Sequence, residues 1–262
     1  MSSADATASP PRPRPRARLA LPDQAARLKE VMKCVSETKR RSDAVVIFDL
    51  DGTLIDNRPR SCAILHELSE HLRDRHPELA ERFSAAQADR VPYLFRETLR
   101  LYGVTDVALF DEVVDFWRAR FFTDAFLRHD VATPGAVDFA RACYGAGARL
   151  CYFTGRDLPN MAVGSWASLR DLGFPIGLSG TELVCKPTTE MSDFEFKRDV
   201  TPTLSRSGVV IAAFDNEPGH CNVFKGSFAE SDVFLVDTQH LPGAPELDPA
   251  VHVIGDFRVS TT

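Results

Sequence analysis

The sequence predicts an α/β fold, a doubly wound parallel sheet with an α-helical domain inserted after its first strand. Three observations predict it. Apolar runs rich in β-branched and aromatic residues recur as Val45-Val46-Ile47-Phe48, Leu150-Cys151-Tyr152-Phe153 and Val209-Val210-Ile211-Ala212-Ala213-Phe214. That is the pattern of strands buried on both faces. Helix-patterned segments alternate with these runs, as parallel strands require. Finally, the runs end in polar residues, Asp49, Thr154 and Asp215, and in open α/β sheets ligands sit just beyond the carboxyl ends of the strands.

Residues 1–20 differ from the rest. Pro10, Pro11, Pro13 and Pro15 interleave with Arg12, Arg14, Arg16 and Arg18, against the single acid Asp5. Alternating Pro and Arg build no packed element, so a disordered tail is expected. It lacks the apolar core of a secretory signal. Residues 21–42 hold an amphipathic helix, with Leu28, Val31, Met32 and Val35 on one face. That face is free to pack on the sheet or on a second subunit, which leaves a homodimer open.

The α/β core is expected over 43–57 and 133–262, and the inserted helical domain over 58–132. A plain crossover needs about a dozen residues, and this one is far longer. Its apolar residues follow helical spacing: Ile64, Leu65, Leu68 and Leu72, then Tyr93, Leu94, Phe95 and Leu99, then Val113, Val114, Phe116, Trp117 and Phe121. Phe110, Phe116, Trp117, Phe121 and Phe122 are therefore expected in the core of this inserted domain. Arg58 and Arg60 are expected as solvated charges at its hinge. The core resumes at Pro134-Gly135 with a helix from Ala136 to Tyr144 and, after the Thr154 strand, a second from Leu158 to Leu172. Gly173 and Pro175 close the second helix. Val233–Val236 and Val251–Ile254 supply further strands or an added edge.

A chain of 262 residues buries a large core. The net charge of −6 argues against a nucleic-acid surface, and no apolar stretch reaches the ~18 residues of a membrane span. The cysteines 34, 62, 143, 151, 185 and 221 show no C-x-x-C spacing. That suits a reducing, cytoplasmic setting. His220 and Cys221 lack partners at metal-ligand spacing and read as surface or core residues.

The first strand stops at Asp49-Leu50-Asp51-Gly52-Thr53-Leu54. This string resembles the first motif of the haloacid dehalogenase-like hydrolase superfamily. The resemblance implies a Rossmann-like core, an α-helical cap of the C1 type over 58–132, and a nucleophile at Asp49 that forms an aspartyl-phosphate. It makes Asp51 the general acid/base. A carboxylate attacks phosphorus once a cation screens both charges, and a second carboxyl can protonate the leaving alkoxide.

Other segments match in order. Phe153-Thr154-Gly155-Arg156 is similar to the second motif, whose hydroxyl binds the phosphoryl group. Thr154 takes that role, with Gly155 and Arg156 as substrate-binding candidates. Phe214-Asp215-Asn216-Glu217 resembles the fourth motif, where an Asp holds Mg²⁺. The implied metal set is the Asp49 and Asp215 side chains with the Asp51 carbonyl, oxygen ligands that suit a hard cation. A second Asp is missing here; Glu217 stands behind the site or Asn216 holds a metal-bound water or the substrate. For the motif-three lysine, which neutralises the crowded charge, Lys186 and Lys197 both qualify. Lys197, at a helix start, is preferred.

These residues together imply a Mg²⁺-dependent phosphomonoester hydrolase acting on a small phosphorylated metabolite. Asp51 disfavours a dehalogenase, and the absence of lysine from 58–132 removes the Schiff base that phosphonate hydrolysis would need. A phosphomutase, a nucleotide or polynucleotide end phosphatase, and a binding or regulatory module on the same fold remain as alternatives.

Overall fold

The computed structural model describes residues 17–38 and 43–259. The chain begins with α1 (Leu21–Glu37), β1 (Ala44–Phe48) and the short β2 (Ile55–Asp56). The inserted helices follow as α2 (Arg58–Leu72), α3 (Pro77–Ser84), α4 (Phe95–Leu101) and α5 (Val107–Phe121), and β3 (Val131–Ala132) closes the insertion. Then come α6 (Ala136–Gly145), β4 (Arg149–Asp157), α7 (Leu158–Leu172), β5 (Thr181–Lys186), α8 (Asp193–Leu204) and β6 (Val209–Asp215). The last elements are α9 (Pro218–Ser227), β7 (Asp232–Val236) and β8 (His252–Ile254).

Six strands form one parallel sheet in the order β5-β4-β1-β6-β7-β8. From β1 the chain moves outward through β4 and β5, then returns to the other side of β1 through β6. The carboxyl edge of β1 is thus the topological switch point, where a crevice must open. β1 is buried at every position because its alternating side chains feed two layers. Val46 and Phe48 join Leu28, Val31, Phe139 and Leu169 of α1, α6 and α7. Val45 and Ile47 join Phe196 and Phe224 of α8 and α9. Phe48 stacks on Phe214 at 5.1 Å and meets Phe139 edge-on at 6.2 Å, which clamps β1 against β6 directly beneath their acidic ends.

The apolar face of α1 packs on the sheet. Gln24 ties it to the carboxyl-terminal segment, donating to Asp256 Oδ1 at 2.8 Å and accepting from the Gly255 N–H at 2.9 Å. The Pro/Arg tail expected over 1–20 lies outside the described residues up to 16. Its last residues correct that expectation: Leu19 N–H donates to the Val253 carbonyl at 2.8 Å, and Arg18 pairs with Asp237. The sheet edge offers unpaired backbone there, and the chain takes it.

Residues 58–130 carry their own apolar cluster, including Leu65, Leu68, Phe83, Leu99 and Val113. The two chain crossings into and out of this cap are zipped together as the antiparallel pair β2–β3. The turn at Asp124–His129 rests on α7, where Gly164 N–H donates to Asp124 Oδ1 at 2.6 Å; a Cβ on Gly164 would meet the Asp124 Cα at 2.6 Å. Among the described residues no helix is long and apolar enough to cross a membrane.

Candidate active site

The loop after β1 is wound tightly by backbone bonds: Ile55 N–H donates to Leu50 O, and Gly52 N–H to Ile55 O. Gly52 sits at φ +77°, and a Cβ there would collide with the Asn216 amide at 2.5 Å. Only glycine combines that turn with that approach. Asp49 emerges at the mouth, its N–H bonded to Phe214 O, and its side chain is almost wholly buried.

Lys197, on the first turns of α8, reaches under the sheet edge. Its Nζ lies 2.6 Å from Asp49 Oδ1 and 2.5 Å from Asp215 Oδ2. Lys186 lies instead at the end of β5, paired with Asp193 at 2.8 Å. Two buried carboxylates therefore share one ammonium. Burial pushes Asp49 up, Lys197 opposes, and the Asp215 charge adds to the rise, leaving Asp49 at about 7. Burial would also raise Asp215, but Lys197 and His220 outweigh it and hold that carboxyl below the usual carboxylate range. Desolvation would lower Lys197, and Asp215 and Asp49 reverse this, so it stays charged.

Asp215 Oδ1 also accepts the Glu217 N–H at 2.9 Å and faces His220 Nδ1 at 3.1 Å. His220 had no site role in the sequence reading; it is a buried partner of Asp215. Cys221 Sγ faces the Asp215 and Phe234 carbonyls. Asn216 is engaged at both ends of its amide, accepting from Thr53 Oγ1 and donating to the Gln239 carbonyl, so it braces the Asp49 loop. Glu217 accepts the Leu241 N–H through both oxygens. Among the described residues no three His, Cys, Asp or Glu side chains converge on one point. The converging pair, Asp49 and Asp215, offers only oxygen, and with Lys197 counted the three groups are one positive charge short of neutrality, which fits a hard cation.

The β4 strand loses register with β5 between Thr154 and Asp157. Such a bulge re-aims side chains. Thr154 is buried at the cavity floor and its Oγ1 accepts the Arg156 N–H at 3.2 Å. A Cβ on Gly155 would meet Asp193 at 2.5 Å. Arg156 swings inward and grips Asp51 through Nε at 2.6 Å and Nη2 at 2.9 Å.

Arg60 overturns its sequence expectation. It is fully buried rather than solvated, bonded to Asp51 Oδ1 at 2.8 Å and to both Asp130 oxygens at 2.8 and 2.7 Å. Arg156 also reaches Asp130, at 2.8 Å. Two arginines thus alternate with two aspartates where the cap joins the core. Asn57 adds a fourth N–H donor to Asp51 at 3.0 Å. Burial would raise the Asp51 carboxyl, but Arg156 and Arg60 outweigh it and hold it well below the usual range. Asp130 carried no sequence signal: it stands alone before a two-residue strand, and only folding brings it back over β1.

A cavity of about 420 Å³ covers these groups. Asp49, Asp51, Thr154, Gly155, Arg156, Lys197, Asp215 and Asn216 line it; Lys186 does not. Trp117, Phe121 and Phe122, expected only in the cap core, line it too. Trp117 also packs against the cap cluster, together with Phe110 and Phe116, so it joins that core to the cavity, while Phe122 stands just past the end of α5. Cap and core touch across the mouth, where Gln239 Nε2 donates to Val91 O at 2.8 Å.

The family model described as haloacid dehalogenase-like hydrolase matches residues 44–187. No curated protein matches this chain. Among solved structures, a candidate phosphatase from Clostridium difficile superposes with a TM-score of 0.52 at 16% identity, covering 80% of this chain and 93% of that one. Protein Tyrosine Kinase A from Mycobacterium tuberculosis gives a TM-score of 0.52 at 19% identity, covering 81% and 94%. Such likenesses speak for the fold.

Proposed function

Because the chain belongs to the haloacid dehalogenase-like hydrolase family, we propose that this enzyme hydrolyses a small phosphomonoester, with Mg²⁺, through an aspartyl-phosphate at Asp49. The observation that carries this reading is the buried Asp49–Lys197–Asp215 arrangement at the switch point of the sheet. An Asp49 oxygen attacks phosphorus, the ester P–O bond breaks, and the leaving oxygen departs with the bonding pair. Water then attacks the acyl phosphate at phosphorus, and Asp49 and inorganic phosphate are released. Lys197 screens nucleophile and phosphoryl oxygens, and the Thr154 hydroxyl with the Gly155 backbone binds the phosphoryl group.

Asp51, held ionised here by Arg156 and Arg60, is set to take a proton from the attacking water. Giving a proton to a leaving alkoxide requires those N–H donors to draw back first. Mg²⁺ would be held by the Asp49 and Asp215 side chains and the Asp51 carbonyl, and when bound supplies charge neutralisation for the phosphoryl group. The six free cysteines support a cytoplasmic location. The test is phosphate release from a panel of phosphorylated metabolites with Mg²⁺. Activity abolished by Asp49→Asn and by chelation supports the reading, and activity surviving Asp49→Asn sinks it.

A further inference from the structure

The cap and the core contribute opposite chemistries to the cavity. Its acids, Asp49, Asp51, Asp193, Asp215 and Glu217, all come from the core. Cap residues 58–122 bring rings, aliphatic groups and guanidinium groups, with no carboxylate or amide side chain. Of the two cap hydroxyls, Ser61 Oγ accepts the Trp117 indole N–H at 3.2 Å and that of Tyr93 is engaged with Glu217 of the core. A sugar or polyol seated there would bury hydroxyl donors with few acceptors, and unpaired buried donors are costly.

The rings begin immediately beside the chemistry. The Arg60 guanidinium, bonded to Asp51 at 2.8 Å, lies 4.3 Å above the Phe121 ring. Phe121 stacks on Trp117 at 4.4 Å, and Trp117 on Phe95 at 4.5 Å. Phe122 stands edge-on to both Trp117 and Phe121, at 5.6 and 5.0 Å, and is 40% exposed, a large apolar side chain left uncovered beside the cavity. Arg60 alone stands between Asp51 and the aromatic wall, so the rings begin beside the carboxylate that faces the leaving oxygen.

We propose that the leaving group is an aromatic ring borne directly on the ester oxygen, so that the substrate class is the aryl phosphomonoesters and Phe122, with Trp117 and Phe121, determines specificity. This rests on the hydrolase reading above for its chemistry, though ring recognition is measurable by itself. Flat rings meet such walls edge-on or offset-stacked and bind through both burial and ring geometry.

The chain has two tryptophans, so Trp166→Phe leaves Trp117 as the only indole reporter. With Mg²⁺ present, phenylphosphonate and methylphosphonate are titrated against its fluorescence. Phenylphosphonate is expected to bind at least tenfold more tightly, and Phe122→Ala to shrink that gap to threefold or less. In parallel, KM for phenyl phosphate is expected at least tenfold below that for glycerol 3-phosphate. Because a phenolate's easier departure also lowers KM in a two-step route through an acyl phosphate, the uncleaved phosphonate pair decides how much the ring itself contributes to binding. Acetyl phosphate, too small to need the wall, reports the hydrolase chemistry by itself. Asp49-dependent cleavage of acetyl phosphate with equal binding of the two phosphonates overturns the aryl assignment and leaves the hydrolase. Tight phenylphosphonate binding with none of these phosphates cleaved keeps the aromatic site and overturns the hydrolase. Failure of both removes both.

Discussion

Replacing Asp130 by Asn tests the charge network at the junction of cap and core. Arg60, Arg156, Asp51 and Asp130 together are neutral, and Arg60, Arg156 and Asp130 have side chains no more than 1% exposed. Asp130 receives three charge-assisted bonds at 2.7 to 2.8 Å. Asn keeps the shape but leaves one uncompensated positive charge in a dry site. Breaking a buried pair in this way costs about 3–5 kcal/mol. At ~2–4 °C per kcal/mol for a chain of this size, Tm should fall by about 6–20 °C. The double variant Arg60→Met with Asp130→Leu removes one charge of each sign and leaves the neutral Asp51–Arg156 pair. It should lie within about 2 kcal/mol of wild type, because well-packed apolar groups replace buried ion pairs with little loss. Urea unfolding followed by tryptophan fluorescence measures all the variants. An Asp130→Asn loss under about 1 kcal/mol, or a double variant losing as much as the sum of its singles, refutes the network as an energetic unit.

Further outcomes follow from the same site. Lys197→Met should abolish phosphate release by about a thousandfold or more, since a buried cation beside developing charge is worth several kcal/mol; Lys186→Met should cost far less, as both kinetics and unfolding would record. Asp49 is raised to about 7, so its ionisation opposes folding: stability is full below the unfolded value near 4 and declines as pH rises through 7. In chelator, Asp49→Asn should therefore melt above wild type at pH 8, with the difference shrinking toward pH 5 in thermal scans. Adding Mg²⁺ at pH 8 should raise the wild-type Tm with concentration and leave Asp215→Asn nearly unmoved, a binding readout that needs no substrate. Gly52→Ala should cut activity at least tenfold, because its Cβ would drive into Asn216 from a φ of +77° and displace the Asp49 loop; unaltered kinetics would contradict this.

The strands were legible because β1, β4 and β6 are buried on both faces, and such strands must be written in unbroken apolar residues. Helix α7 could be delimited in the sequence because Gly173 closes it in the left-handed conformation at φ +93°. Asp49, Thr154 and Asp215 were visible for a related reason: each ends such a strand, and a polar residue there breaks the local pattern. Arg60, Asp130 and His220 broke no pattern. Arg60 and Asp130 are ordinary residues in a helix turn and a loop until a partner distant in sequence arrives, Asp130 lying 70 positions from Arg60; His220 reaches back only five positions to Asp215, but a lone histidine there marks no pattern. Phe121 and Trp117 show the same limit, for helical spacing marks an apolar residue without saying whether its neighbour is a core or a cavity. The sequence by itself determined the sheet, the presence of inserted helices after its first strand and the positions of the strand-end carboxylates, since burial and backbone periodicity are local constraints. The tertiary structure alone decided which lysine stands between the carboxylates, which arginines hold Asp51 and which rings face the cavity, because electrostatic pairing and cavity shape depend on distances that folding creates.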